Sequence, residues 1–426
     1  MASLFDTARA RLLAICVVGV LAWPAAGAFA QTKPTQPTPT QPTPTQPTST
    51  PPQPQPTPTA SGAAPSAKEL SAAIDELGKL DYATRVAASR VVRRAPSEQA
   101  VTALVRAVGE HADGYVRFRA LVLLAGFNDP RARDLMVVAI DDANDRLRDV
   151  GYAWLEVHPE PPLAEKLIGK LEKELSEFVR PSLIRALAAL GDDPAVQKVM
   201  IREANRGQDF FRGTVIEALG EHKAVYAVPA LTAIAKLDGP LQDEAVVALG
   251  QIGDKRTLET IAPLQRTAPR ERQPALASAI CLLGVNCDSH ERFLIETLRF
   301  TTTNMGFQDL ARSASRGLAE LARRGRPDAW DALIAIGVPS VDPIRAPIAI
   351  AAATAAMGNA EAMLAALGRS GDEKAARLLL RDGFDMLAED FVEERFYADV
   401  RARYWKAPAG SPARAAIERV ITTLDF

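Results

Sequence analysis

Arg180-Pro-Ser-Leu183-Ile-Arg-Ala-Leu187-Ala-Ala-Leu-Gly191-Asp-Asp-Pro-Ala-Val196 is one copy of a pattern that returns along much of this chain of 426 residues. Arg180 belongs to a column spaced 30 to 32 residues apart, which reads Arg85, Arg117, Arg148, Arg180, Arg212, Gln242 and Gln273. Three residues after each member lie Ala88, Ala120, Gly151, Leu183, Val215, Ala245 and Leu276. Seven after lie Val92, Leu124, Leu155, Leu187, Leu219, Leu249 and Ile280. Offsets of three and seven fall on one helix face, so the columns mark the buried stripe of a helix that occurs once per repeat. A period of this length means stacked helix pairs, because one pair cannot bury its apolar face alone.

The column helix is the second of each pair. Four residues before each member stands a candidate N-cap: Asp81, Asp113, Asn144, Ser176, Gln208 and Asp238, of which Gln208 is the weak one, with Asp209 beside it as a substitute. First helices are expected within Glu98 to Val108, Ala132 to Ile140, Ala164 to Leu175 and Ala195 to Arg202. Gly191, Gly220, Gly250 and Gly284 are expected to end second helices, where positive φ is wanted. Beyond Leu264 the rhythm loosens. Ala311 and then Arg345 are the next column members, and Phe300 to Phe307, with Thr301, Thr302 and Thr303, reads as an enlarged loop that lengthens the interval.

The stretch Ala186 to Val196, together with Glu-Ala-Leu-Gly-Glu-His-Lys-Ala-Val from Glu217 and Ile252-Gly-Asp254, resembles the short HEAT repeats of the phycobilisome-lyase-like class. Pro229 and Pro263, within expected first helices, resemble the kinking prolines of HEAT repeats. The likeness runs from Lys68 to about Leu367. It implies an all-α fold, a right-handed α-α superhelix (armadillo/HEAT-like solenoid) of about ten helical hairpins. The domain plan that follows is a leader over 1–30, a spacer over 31–66, the solenoid over 67–370 and C-terminal capping helices over 371–426.

Arg9 and Arg11 precede an apolar run from Leu12 to Trp23, and Ala28-Phe29-Ala30 offers the small residues of a signal-peptidase site. Cleavage before Gln31 would export the chain to the periplasm or the medium. An uncleaved Leu12 to Ala30 would instead anchor it to a membrane. Residues 31–66 are mostly Pro, Thr and Gln, with Thr-Gln-Pro-Thr-Pro at Thr35 and again at Thr40, a composition that buries no core and suits an extended spacer. The formal net charge of −2, changed by one unit when Asp6, Arg9 and Arg11 leave with the leader, disfavours nucleic acid as a partner. Of three cysteines, the exported chain would keep Cys281 and Cys287, either disulfide-bonded or as two thiols.

Convergent catalytic groups are scarce. The four histidines, His111, His158, His222 and His290, fall in different repeats, and no nucleophile elbow, phosphate loop or metal-ligand spacing is present. His290-Glu291 has the order found repeatedly in deoxyhypusine hydroxylase, a di-iron HEAT-repeat family, but one pair cannot enclose two irons. No catalytic, cofactor or metal residue is therefore assigned. The arginines Arg85, Arg117, Arg148, Arg180 and Arg212 read as a structural ladder bridging caps and carbonyls of the neighbouring repeat, or as an anion-binding stripe. Phe384, Leu387, Phe391, Phe396, Val400 and Tyr404 recur at helical spacing beside Glu389, Asp390, Glu393 and Glu394. That pattern reads as a capping helix, or as a docking patch anchored by Tyr397 and Trp405. The functional expectation is a non-enzymatic exported scaffold that binds a protein along its concave face, with Arg119, Arg146 and Glu217 on flanks that could face the groove. An accessory subunit or enzyme with a bound metal or polymer, and a structural envelope protein, are the alternatives.

Overall fold

Each repeat folds as the period requires, into two antiparallel helices that stack on the next two. A computed structural model describes residues 64–387 and 390–426; the leader and nearly all of the spacer, with Glu389 of the acidic cluster, lie outside the described residues. Among the described residues there are 22 α-helices and no strand. The first ten hairpins are α1 (Ala67–Glu76) with α2 (Tyr82–Arg94), α3 (Ser97–Glu110) with α4 (Gly114–Ala125), α5 (Arg131–Ala139) with α6 (Asp145–Val157), α7 (Ala164–Leu171) with α8 (Arg180–Ala188), α9 (Pro194–Ala204) with α10 (Asp209–Glu221), α11 (Val228–Ala235) with α12 (Gln242–Ile252), α13 (Leu258–Thr267) with α14 (Gln273–Leu282), α15 (Cys287–Thr303) with α16 (Gln308–Arg323), α17 (Pro327–Gly337) with α18 (Arg345–Gly358), and α19 (Ala360–Arg369) with α20 (Glu373–Met386). A last pair, α21 (Asp390–Lys406) and α22 (Pro412–Leu424), follows.

The even-numbered helices pack closely on one another from α6 through α20, while successive odd-numbered helices touch less. Tighter spacing belongs to the inside of a curve, so the second helices form the inner layer of an all-α superhelix and the first helices the outer layer. All members of the +3 and +7 columns are buried, from Ala88 and Val92 through Leu276 and Ile280. Burying a Leu or Ile side chain stabilises by roughly 1.5–3 kcal/mol, so the repeated stripe supplies the core that no hairpin has by itself.

Several local expectations change. Asp81, Asp113 and Asn144 accept from backbone N–H groups of the first turn, as N-caps do. Ser176 and Asp238 do not, because α8 and α12 begin at the column residue itself, with Val179 and Leu241 before them; Gln208 is an N-cap position without a side-chain cap. Asp209 accepts from Arg212 instead.

Among the four expected helix-ending glycines, Gly284 alone has positive φ. Gly220 and Gly250 lie inside or at the last turn of their helices and serve close approach: a Cβ on Gly220 would stand 2.7 Å from Ala248 Cα, and one on Gly250 2.7 Å from Ala279 Cα. They let α10, α12 and α14 touch backbone to backbone. Pro229 sits in the first turn of α11, where it needs no kink, whereas Pro263 is inside α13. The long interval after Gln273 is a long helix, since α15 runs through Thr303 with the hydroxyls of Thr301, Thr302 and Thr303 donating to carbonyls three residues back. The regular stack also passes residue 370, because α19 and α20 form a tenth hairpin packed on α18.

Candidate functional site

The column residues stand at the first turns of the second helices, and their polar heads turn to carbonyls at the end of the first helix of the same hairpin or in the turn that follows it. Arg85 Nη1 donates to the carbonyls of Lys79 and Leu80 (2.8 and 2.7 Å), Arg117 Nε to Val108 (3.0 Å) and Arg148 Nη1 to Asp142 and Ala143 (3.0 and 3.1 Å). Arg212, Gln242 and Gln273 repeat this on Ala204, Ala235 and the pair Gln265 and Ala268. Helix C-terminal carbonyls lack intrahelical partners, so the contact satisfies groups that would otherwise need water. The carbonyls are those of the same repeat, not of the neighbour. The link to the next hairpin is made by carboxylates: Arg117 to Asp142 (2.5 Å), Arg148 to Glu174 (2.8 Å) and Arg345 to Asp382 (2.7 Å). Arg180 departs from the pattern and lies over the ring of Phe211 at 4.1 Å. With the guanidinium groups turned to carbonyls, carboxylates and a ring, the column presents no row of open anion sites.

The inner face, expected as an open groove, is crossed by the chain's own C-terminal pair. Helix α21 packs on α4, α6 and α18. Glu394, 1 % exposed, accepts from Arg93, 7 % exposed, at 2.5 Å and from Arg401 at 3.3 Å; Arg119 pairs with Asp390, and Arg90 with Asp425 at 2.6 Å. Two buried partners of opposite charge hold each other in place here because neither can reach water. Tyr397 is half-buried in this seam: its ring stacks on Phe426 at 4.1 Å, Arg93 lies 5.1 Å above it, and burial raises its hydroxyl pKa. Trp405 is 71 % exposed, with Arg414 5.1 Å from its ring. The capping reading holds only in part, since α22 covers α20 while α21 reaches back to the second hairpin.

Further along, α16 faces α10 across the inner side. Arg316 meets Glu217 at 3.2 Å and Arg323 meets Glu221 at 3.4 Å. Between them lies a cavity of about 340 Å³, lined by carboxylates of α10, α12 and α16 and floored by Gln251 and Ser278. Burial, with the neighbouring Glu244, pushes the Asp243 carboxyl up to about 6, and burial with Glu217 raises Glu221.

A third surface is the edge where first helices turn into second ones. Leu175, Phe178, Phe210 (76 % exposed) and Leu237 project there from three successive hairpins. The edge continues through Arg146, which lies 5.8 Å from the rings of both Tyr115 and Phe178. Sequence reasoning passed over these residues, although two of them, Phe178 and Phe210, stand two residues before their column members.

The histidines stay apart. His111 is 3.3 Å from Asp75, His158 stacks on Trp154, and His222 is 3.3 Å from Glu156. Burial lowers the His290 pKa, and Glu291 is tied to Arg326. No group of three His, Cys, Asp or Glu side chains placed to hold a metal ion occurs among the described residues. Cys281 and Cys287 are paired as a disulfide across the turn between α14 and α15, with Cα atoms 4.1 Å apart.

No family model and no curated protein matches the sequence. Among solved structures the chain is similar to the complex of CpcE and CpcF of phycocyanin lyase from Nostoc sp. PCC7120, at 20 % identity over 60 % of this chain and 94 % of that one, with a TM-score of 0.38. It is similar to YibA of Escherichia coli at 18 % identity, covering 52 % and 83 %, with a TM-score of 0.38. A structure of Kap95p bound to RanGDP is similar at 12 % identity, covering 83 % and 56 %, with a TM-score of 0.32.

Proposed function

We propose that the chain is a non-enzymatic, exported scaffold that binds a protein partner, and that the contact is made at the turn edge and not along the inner face. The inner face is committed to α21 at one end and spanned by ion pairs in the middle. The edge has no such internal occupant among the described residues. The observation that carries the reading is the run of exposed Leu175, Phe178, Phe210 and Leu237 on successive hairpins. Equivalent positions of stacked repeats line one surface, and contiguous exposed apolar area on a soluble chain marks an interaction site. The partner is a protein segment presenting aliphatic or aromatic side chains. Such a contact concentrates affinity in the two rings.

The test is crosslinked capture of the tagged chain from an envelope extract, comparing wild type with Phe178→Ser/Phe210→Ser and with Trp405→Ala. A partner lost with the edge variant and kept with Trp405→Ala supports the edge. A partner kept by the edge variant, or none above background, overturns it. Export is checked separately by mass spectrometry of the N-terminus, which should begin at Gln31.

A further inference from the structure

The cavity between α10, α12 and α16 is charge-imbalanced. Glu217, Glu221, Asp243, Glu244, Asp309 and Glu320 face it against three guanidinium groups, Arg312, Arg316 and Arg323. Those three are already engaged: Arg312 with Asp309 at 2.8 Å, Arg316 with Glu217, and Arg323 with Glu320 at 2.6 Å and with Glu221. Asp243 has neither a hydrogen bond nor an ion pair with any described residue, and Glu244 leaves Oε2 buried without a partner, its other oxygen lying 3.9 Å from Arg316.

A second observation is independent of charge. Ser278, on α14, is 0 % exposed and lines the cavity with a hydroxyl that bonds to no described residue; Gln251, on α12 and 7 % exposed, lines it as well. Buried polar groups are ordinarily satisfied, and unsatisfied ones that converge on one space mark a place for a polar ligand. The wall is not wholly polar, since Val247, Ala275 and Ala319 offer methyl groups between the carboxylates.

We infer that this cavity binds a small aliphatic amine carrying one or two ammonium groups, held by Asp243 and Glu244 with its methylenes against Val247. An ammonium donates three hydrogen bonds and accepts none, which matches carboxylate, hydroxyl and amide oxygens and discriminates against an anion. The cation supplies the charge that three guanidinium groups leave missing. The pairs Arg316–Glu217 and Arg323–Glu221 tie α16 to α10 on either side, so the space admits a free molecule and excludes a folded domain. A cation beside Asp243 would lower its raised carboxyl.

The experiment is isothermal titration of the full chain with putrescine and with spermidine at pH 7.5, with 1,4-butanediol as a neutral analogue of the same length. Saturable binding of about one molecule per chain is expected for the amines and none for the diol. Asp243→Asn/Glu244→Gln should weaken it at least tenfold. Glu244→Lys, which brings an ammonium from the chain itself, should abolish it while leaving the circular-dichroism melting curve cooperative. A remote change at an exposed carboxylate, Glu98→Gln, should leave binding unchanged. The inference is overturned by non-saturable binding, by amines that do not bind, or by binding that survives Asp243→Asn/Glu244→Gln in a folded variant. This outcome is independent of the edge and its protein partner, which Phe178→Ser/Phe210→Ser tests separately.

Discussion

The two stretches of the inner face handle buried charge in opposite ways. Where α21 lies on α4 and α6, the carboxylates have their counter-charges within the chain: buried Glu394 has Arg93 and Arg401, and half-exposed Asp390 has Arg119. Where α16 faces α10 and α12, carboxylates outnumber guanidinium groups, and the Ser278 hydroxyl and Glu244 Oε2 are left without partners among the described residues. Both regions are rich in Arg and Glu, so composition does not separate them. Satisfaction does. A seam whose carboxylates are each matched by a guanidinium group belongs to the tertiary structure, while one that leaves carboxylates unmatched is shaped for a cation from outside.

The comparison breaks most easily at the seam. Glu394→Leu leaves Arg93 buried beside an apolar side chain, and removing one partner of a buried pair costs about 3–5 kcal/mol. The guanidinium chloride midpoint should fall accordingly, and Arg93→Met/Glu394→Leu should recover part of the loss, because Arg93 then leaves with its carboxylate while Arg401 stays behind. A Glu394→Leu midpoint indistinguishable from wild type would mean that α21 does not rest on the second and third hairpins. A smaller effect is expected where α10 meets α12. Gly220→Ala places a methyl group against Ala248 and should cost about 1–3 kcal/mol by overpacking. Gly169→Ala, in the interior of α7 with no atom near its added methyl, should instead stabilise by about 0.5–1 kcal/mol. Equal effects at the two glycines would show that α10 and α12 are not in backbone contact.

How much of this was legible in the sequence follows from the range of the interactions. The second helices could be read residue by residue, because their buried stripe depends on spacings of three and seven that recur in every hairpin. The caps could be read only where the helix keeps its full first turn; at Ser176 and Asp238 the chain bends before the column residue, and the cap position moves with it. The Ala-Leu-Gly endings pointed to the right glycines for the wrong reason, since a glycine that ends a helix and one that lets a neighbouring helix approach leave the same letter.

Helix α21 was recognisable as amphipathic, but its seat was not. Arg93 and Glu394 are 301 residues apart, and no local pattern ties them together. This is also why Tyr397, aromatic and beside an acidic cluster, reads as a docking anchor: Arg93, which lies over its ring, comes from the opposite end of the stack. The cavity did leave a trace. Gln251 and Ser278 interrupt otherwise apolar helix faces, and polar residues at core register are the signal that something polar faces them.

The smallest expected effect bears directly on the open region. Asp243 titrates near 6 in the folded chain, against an ordinary value of 3.8, because burial and Glu244 disfavour its charge more than Arg272 and Arg316 favour it. Between those two values the folded state holds a proton that the unfolded state has lost, so unfolding releases it and stability falls as pH rises through the window. Below about 3.8 both states are protonated and the contribution is fully retained; above about 6 both are ionised and it is gone. Asp243→Asn removes this dependence. Its denaturation midpoint should therefore exceed that of wild type at pH 7.5, and the gap should close as the pH approaches 4. Other carboxylates titrate over the same range in both proteins and cancel in the difference. Adding putrescine at pH 7.5 should narrow the gap from the other side, by stabilising wild type and not the variant, as a ligand that binds only the folded ionised site must. An offset that stays constant from pH 4 to 7.5 would mean that Asp243 is solvated and that the open region is no more strained by its charge than the closed one.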